Sequence, residues 1–125
     1  MHSNQIVPYV GVDIVEISRI SEAVASHGEV FLSRVYTQAE VDCYRHKPSS
    51  LAARFSAKEA VIKMLGGKGL SLTEIEILSA PNGKPVLTLH GKAKARAARL
   101  GLSTLEISLS HARDYAVACV IGLGS

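Results

Sequence analysis

The sequence predicts an α+β domain in which a small antiparallel sheet packs around one long, buried helix. Three observations carry that expectation. Residues Leu51–Leu65, LAARFSAKEAVIKML, are rich in helix formers and apolar on nearly every side. A helix of that kind belongs inside a fold rather than on its surface. Pro81-Asn82-Gly83-Lys84 separates two short apolar runs and reads as a hairpin turn. Near the C-terminus, Thr104–Ser110 alternates with the period of a strand, and Tyr115–Ile121 is apolar on both faces. The latter is therefore central in a sheet or part of an interface.

Taken in order, Ile6–Ile17 reads as the first strand, with Pro8 near its start. Val10, Val12 and Ile14 share one face; Gly11, Asp13 and Val15 share the other. Glu16 to about His27 reads as a helix with Ile17, Ile20 and Val24 as its apolar stripe, ended by Gly28. Phe31–Tyr36 reads as a short apolar connection. Thr37-Gln38-Ala39-Glu40 has the capping-box form and starts a helix running to about His46. Ser49 and Ser50 are placed to cap the central helix, and Gly66 and Gly67 to stop it. Leu72–Leu78 and Pro85–His90 are the hairpin strands, Lys92–Leu100 is a short basic helix, and His111–Asp114 is a turn.

The length, 125 residues, fits one domain spanning 1–125, and 47% hydrophobic against 20% charged residues is too apolar for disorder. The net charge of +3 suits acidic partners or phosphates. Few aromatics interleave with the basic residues, which argues against nucleic acid. Cys43 and Cys119 stand in no metal-ligand spacing and read as unpaired thiols. Neither a charged-then-apolar leader nor an apolar run of about 18 residues is present, so a cytoplasmic, membrane-free chain is expected.

Several residues sit where their chemistry is costly. Asp13 is a carboxylate inside an apolar strand, where Asp is disfavoured; it either caps a turn or has a task. The buried helix carries Arg54, Lys58, Glu59 and Lys63, and buried charges need partners, a metal or a cleft. Glu59 and Lys63 are four residues apart, with Ser56 on the same face. A surface salt bridge at helical spacing explains that pair as well as a site does. Gly66-Gly67-Lys68-Gly69 can admit a phosphate to backbone amides, or simply end a helix. His111 closes a strand and can reach a ligand, or be an ordinary turn histidine. Asp13 and Glu59 together suit a hard cation such as magnesium, which takes one or two carboxylates plus waters and substrate phosphates. Lys63 could then neutralise phosphate charge and His111 bind phosphate or move a proton. The residues thus point toward phosphoryl-type chemistry.

Three segments in order also resemble one known family. Gly11-Val12-Asp13-Ile14-Val15-Glu16-Ile17 with Arg19-Ile20 is similar to the opening motif of the holo-[acyl-carrier-protein] synthases, which are 4′-phosphopantetheinyl transferases. Arg54-Phe55-Ser56-Ala57-Lys58-Glu59-Ala60 with Lys63 resembles their second motif, and Ser108-Leu109-Ser110-His111 their third. Pro81–Pro85 resembles their Asn-Gly-Lys-Pro hairpin. The resemblance implies a homotrimer with sites between subunits, transferring 4′-phosphopantetheine from coenzyme A to a serine of apo acyl carrier protein. It implies magnesium at Asp13 and Glu59, Lys63 on the phosphates, and His111 at the coenzyme A site. Arg54, Ser56, Gly66, Gly69, Asn82, Gly83 and Lys84 would line that site, and Arg19 and Arg45 would meet the acidic carrier. A non-catalytic module binding coenzyme A or an acidic protein is the competing expectation. A nucleic-acid binder using Lys92–Arg99 is a third.

Overall fold

The computed structural model describes residues 5–124. The chain runs β1 (Val7–Glu16), α1 (Ile17–Val35), α2 (Gln38–Tyr44), α3 (Pro48–Met64), a 3-10 turn (Leu72–Glu74), β2 (Ile75–Ser79), β3 (Pro85–Leu89), α4 (Gly91–Arg99), β4 (Leu102–His111) and β5 (Tyr115–Gly124). β1, β5 and β4 form an antiparallel sheet with β5 in the centre; β2 and β3 form a separate hairpin. β5, apolar on both faces, takes the central place, with Ala116, Ala118 and Val120 buried toward α3 and Ile121 exposed on the other face.

α3 lies against β1 and β5 and bridges two halves of the core. Its first turns, with Leu51, Ala52 and Ala53, pack with Ile20, Leu32, Val35, Val41 and Tyr44 from α1 and α2. Its later turns, with Ala57, Ala60, Val61 and Met64, pack with Ile75, Ile77, Ala93, Ala118 and Val120. Covered from several sides, the helix has no solvent stripe, which is why its sequence lacks a polar face.

Polar braces join α3 to α2 and β2. Thr37 and Glu40 form the expected capping box. Glu40 also accepts from Ile77 N at 2.8 Å and pairs with Lys58 at 2.7 Å, both side chains fully buried. Lys58 Nζ donates further to Leu72 O at 3.0 Å and to Ile75 O. Burial pushes the Lys58 ammonium pKa down, and the Glu40 carboxylate opposes that push.

Three local expectations need correction. Gly28, at φ 50° and ψ −125°, does break the helix as expected, but a second helical segment follows it through Val35. The expected connection at Phe31–Tyr36 is instead mostly helical, because Leu32 and Val35 bury themselves against α3. Ser49 and Ser50 do not cap α3, which begins at Pro48. Proline suits that first position, where its missing N–H is no loss and its φ is preset. Finally, Leu72–Glu74 is a 3-10 turn rather than strand, closed by a capping box between Ser71 and Glu74.

Candidate active site

The site begins with a glycine. Gly11 lies mid-strand in β1, directly against α3, and a Cβ there would sit 1.9 Å from Ala60 O. Only a residue without a side chain lets strand and helix backbones approach so closely. Two residues further along the same face comes Asp13, which this approach brings against the turn of α3 carrying Ser56, Glu59 and Lys63.

The contacts there are direct. Ser56, fully buried, donates its hydroxyl to Asp13 O at 2.7 Å, with Asp13 Oδ2 at 3.4 Å. Lys63 Nζ donates to Asp13 Oδ1 at 2.9 Å and to Val12 O at 3.2 Å. Lys63 therefore bridges to the strand, whereas its helical spacing alone had pointed to Glu59. Partial burial, then the neighbouring Asp13 charge, push the Glu59 carboxyl above its usual range, while Lys63 pulls it back. Two carboxylates facing one ammonium leave a local excess of negative charge, which a divalent cation would relieve. Among the described residues no group of three or more His, Cys, Asp or Glu gathers to hold a metal. The donor set is thus one of few oxygens, which suits magnesium with waters and substrate phosphates in the remaining positions.

The other expected site residues are spread more widely. His111 is exposed at the end of β4; it faces Ala116, which faces Val15. It shares Asp13's side of the sheet but stands two strands away, about 10 Å, and two residues further along. This chain does not bring it to the carboxylates. Arg54 is buried, donating to Ile77 O and Ser79 Oγ, each at 3.0 Å, with its guanidinium 3.7 Å over the Tyr44 ring. Gly66 and Gly69 have φ of 92° and 80° in an exposed loop after α3. Asn82 shapes the exposed hairpin tip by accepting from Lys84 N at 3.0 Å, Gly83 has φ 87°, and Lys84 reaches Glu106 at 3.5 Å. Arg19 is exposed on α1, and Arg45 pairs with Glu29 at 2.5 Å.

Two supports were not foreseen. Arg96 donates to Lys68 O at 2.7 Å and Leu65 O at 3.2 Å, so α4 holds the glycine loop. Glu74 accepts from Ala93 N at 3.1 Å and from Lys92 N, capping α4 from another element. Neither leaves a local sequence signature. Gly11 does: a glycine inside a strand pattern marks a close backbone approach.

The model of the 4′-phosphopantetheinyl transferase superfamily matches residues 9–120. A holo-[acyl-carrier-protein] synthase of Dehalococcoides mccartyi strain CBDB1 is 52% identical, over 90% of this chain and 96% of that protein. One from Herpetosiphon aurantiacus is 46% identical, over 91% of this chain and 97% of its own length. The crystal structure of the Helicobacter pylori holo-[acyl-carrier-protein] synthase in complex with coenzyme A superposes with a TM-score of 0.81. It is 34% identical and covers 90% of this chain and 98% of that one.

Proposed function

The chain belongs to the 4′-phosphopantetheinyl transferase superfamily, and on that footing we propose that it is the enzyme that loads acyl carrier protein. It transfers 4′-phosphopantetheine from coenzyme A to a serine of apo acyl carrier protein. The serine oxygen forms a bond to the β-phosphorus, and the bond to adenosine 3′,5′-bisphosphate breaks. The observation that supports this most is the meeting of Asp13, Ser56, Glu59 and Lys63 where β1 touches α3.

In this reading Asp13 and Glu59 would hold one magnesium ion, which would supply positive charge to the pyrophosphate oxygens. Ser56 fixes the Asp13 backbone, so the carboxylate is held in place before substrate arrives. Lys63, with an exposed ammonium on a flexible stem, meets the phosphates and the departing group. His111, the Gly66–Gly69 loop and the Asn82-Gly83-Lys84 hairpin tip line the coenzyme A cleft. Arg54 serves that cleft indirectly, by holding β2 against α3.

A homotrimer completes the site in the same reading. Its support is the sheet face turned away from α3, where Val10, Val12, Ile14 and Ile121 are 65%, 57%, 62% and 43% exposed on paired strands. A row of that kind is an association surface. Neighbouring subunits then place His111 or the hairpin tip near another chain's carboxylates. Exposed Arg19 and Arg45 offer positive charge to the acidic carrier and speed encounter. No helix among the described residues is long and apolar enough to cross a membrane.

The test is the mass of an apo acyl carrier protein incubated with this protein, coenzyme A and magnesium, beside a sample with chelator. The expected result is a gain of one phosphopantetheine, absent with chelator. Coenzyme A binding without any mass gain, across several apo carriers, would replace the transferase with a binding module.

A further inference from the structure

Asp13 is already occupied by the protein itself. Its Oδ1 accepts from Lys63 Nζ at 2.9 Å, and Ser56 Oγ stands 3.4 Å from its Oδ2. Asp13's side chain is 16% exposed and Lys63's 58%. The ammonium therefore covers the carboxylate from the solvent side, the side from which a cation and a phosphate must arrive.

We propose that Lys63 is an internal counterion that competes with the divalent cation for Asp13 in the free enzyme, and that coenzyme A's phosphates draw it away as the cation binds. This rests on the assignment of Asp13 and Glu59 as the metal ligands. An ammonium held on Oδ1 repels a divalent cation arriving at the same carboxylate, so each weakens the other's hold on Asp13. The lysine can leave cheaply. Its stem is flexible, its charge is accessible to water, and the second acceptor it gives up, Val12 O, is neutral. It leaves toward something better, because phosphate oxygens carry the charge it loses at Asp13. Cation and coenzyme A then favour each other's binding through one side chain, and the coupling is reciprocal. In the free enzyme the same contact keeps the two carboxylates from facing one another without compensation.

The experiment measures Mn2+ binding to the full-length protein by electron paramagnetic resonance, first without and then with coenzyme A. Lys63→Met is expected to bind Mn2+ about 2- to 5-fold more tightly than wild type without coenzyme A, the scale of one partly exposed ion pair. Lys63→Arg, which keeps the charge, is expected to stay near wild type. Adding coenzyme A should tighten Mn2+ binding more in wild type than in Lys63→Met. Equal or weaker Mn2+ binding by Lys63→Met, with binding still lost in Asp13→Asn, would overturn the competition and leave the metal ligands standing. Mn2+ binding that survives in both Asp13→Asn and Glu59→Gln would overturn the metal assignment and the competition with it.

Discussion

α3 carries two lysines five residues apart, and they live in opposite worlds. Lys58 is fully buried, paired with Glu40 and bonded to two backbone carbonyls. Every donor is used, and the group is locked. Lys63 is mostly exposed, holds one of two neighbouring carboxylates, and sits where negative charge is in excess. The first is a closed account of charge and works as a brace between α2, α3 and β2. The second is open, and an open site is one that a cation or phosphate can complete. Charged residues on a buried helix therefore do not mark a site by themselves. The unbalanced cluster does.

Substitutions at the two clusters should separate them. The largest effect is expected from Glu59→Gln, which removes a proposed metal ligand and keeps shape. Phosphopantetheine transfer should fall by about a thousand-fold, measured as product mass against time, while circular dichroism stays unchanged. Wild-type turnover in that variant would remove Glu59 from the chemistry. Next comes Lys58→Met, which leaves Glu40 buried without its cation. Unfolding free energy in denaturant should drop by about 3–5 kcal/mol, and pairing it with Glu40→Gln should recover part of the loss. A small effect of Lys58→Met alone would mean that water reaches the pair.

The smallest effect concerns pH. Glu59 is held above the usual carboxyl range, so the folded state keeps its proton where the unfolded chain has released it. Between the ordinary glutamate value and the raised one, the metal-free protein should lose stability as pH rises, and should level off above. Glu59→Gln should abolish that slope and gain about 0.5 kcal/mol or less at neutral pH, because the group is only partly buried. Thermal unfolding across mildly acidic pH, with chelator present, reads it. An unchanged slope in the variant would place the titrating group elsewhere.

The order of helices and strands was legible because each is a local pattern. The capping box at Thr37 and Glu40, the hairpin turn at Pro81–Lys84 and the two-sided apolar strand β5 need only neighbouring residues to be recognised. Asp13, Glu59 and Lys63 stood out because their residue types were costly in their predicted elements. Local signals failed where distant packing decided. Gly28 reads as a stop and does break the helix, but Phe31–Tyr36, which reads as a connection, is mostly a second helical segment because Leu32 and Val35 pack against α3. Lys58 and Arg54 could not be told from Lys63 as candidates for the site.

By itself, the sequence determined which residues carry chemistry and which segments are helix, strand and turn, because backbone propensity and side-chain period act over a few residues. Tertiary structure alone decided which charges are spent and which remain available. That choice turns on contacts across tens of residues: Ala60 against Gly11, Glu40 against Lys58, and Asp13 against Lys63. Electrostatic balance depends on distance and burial, and neither exists until the chain has packed.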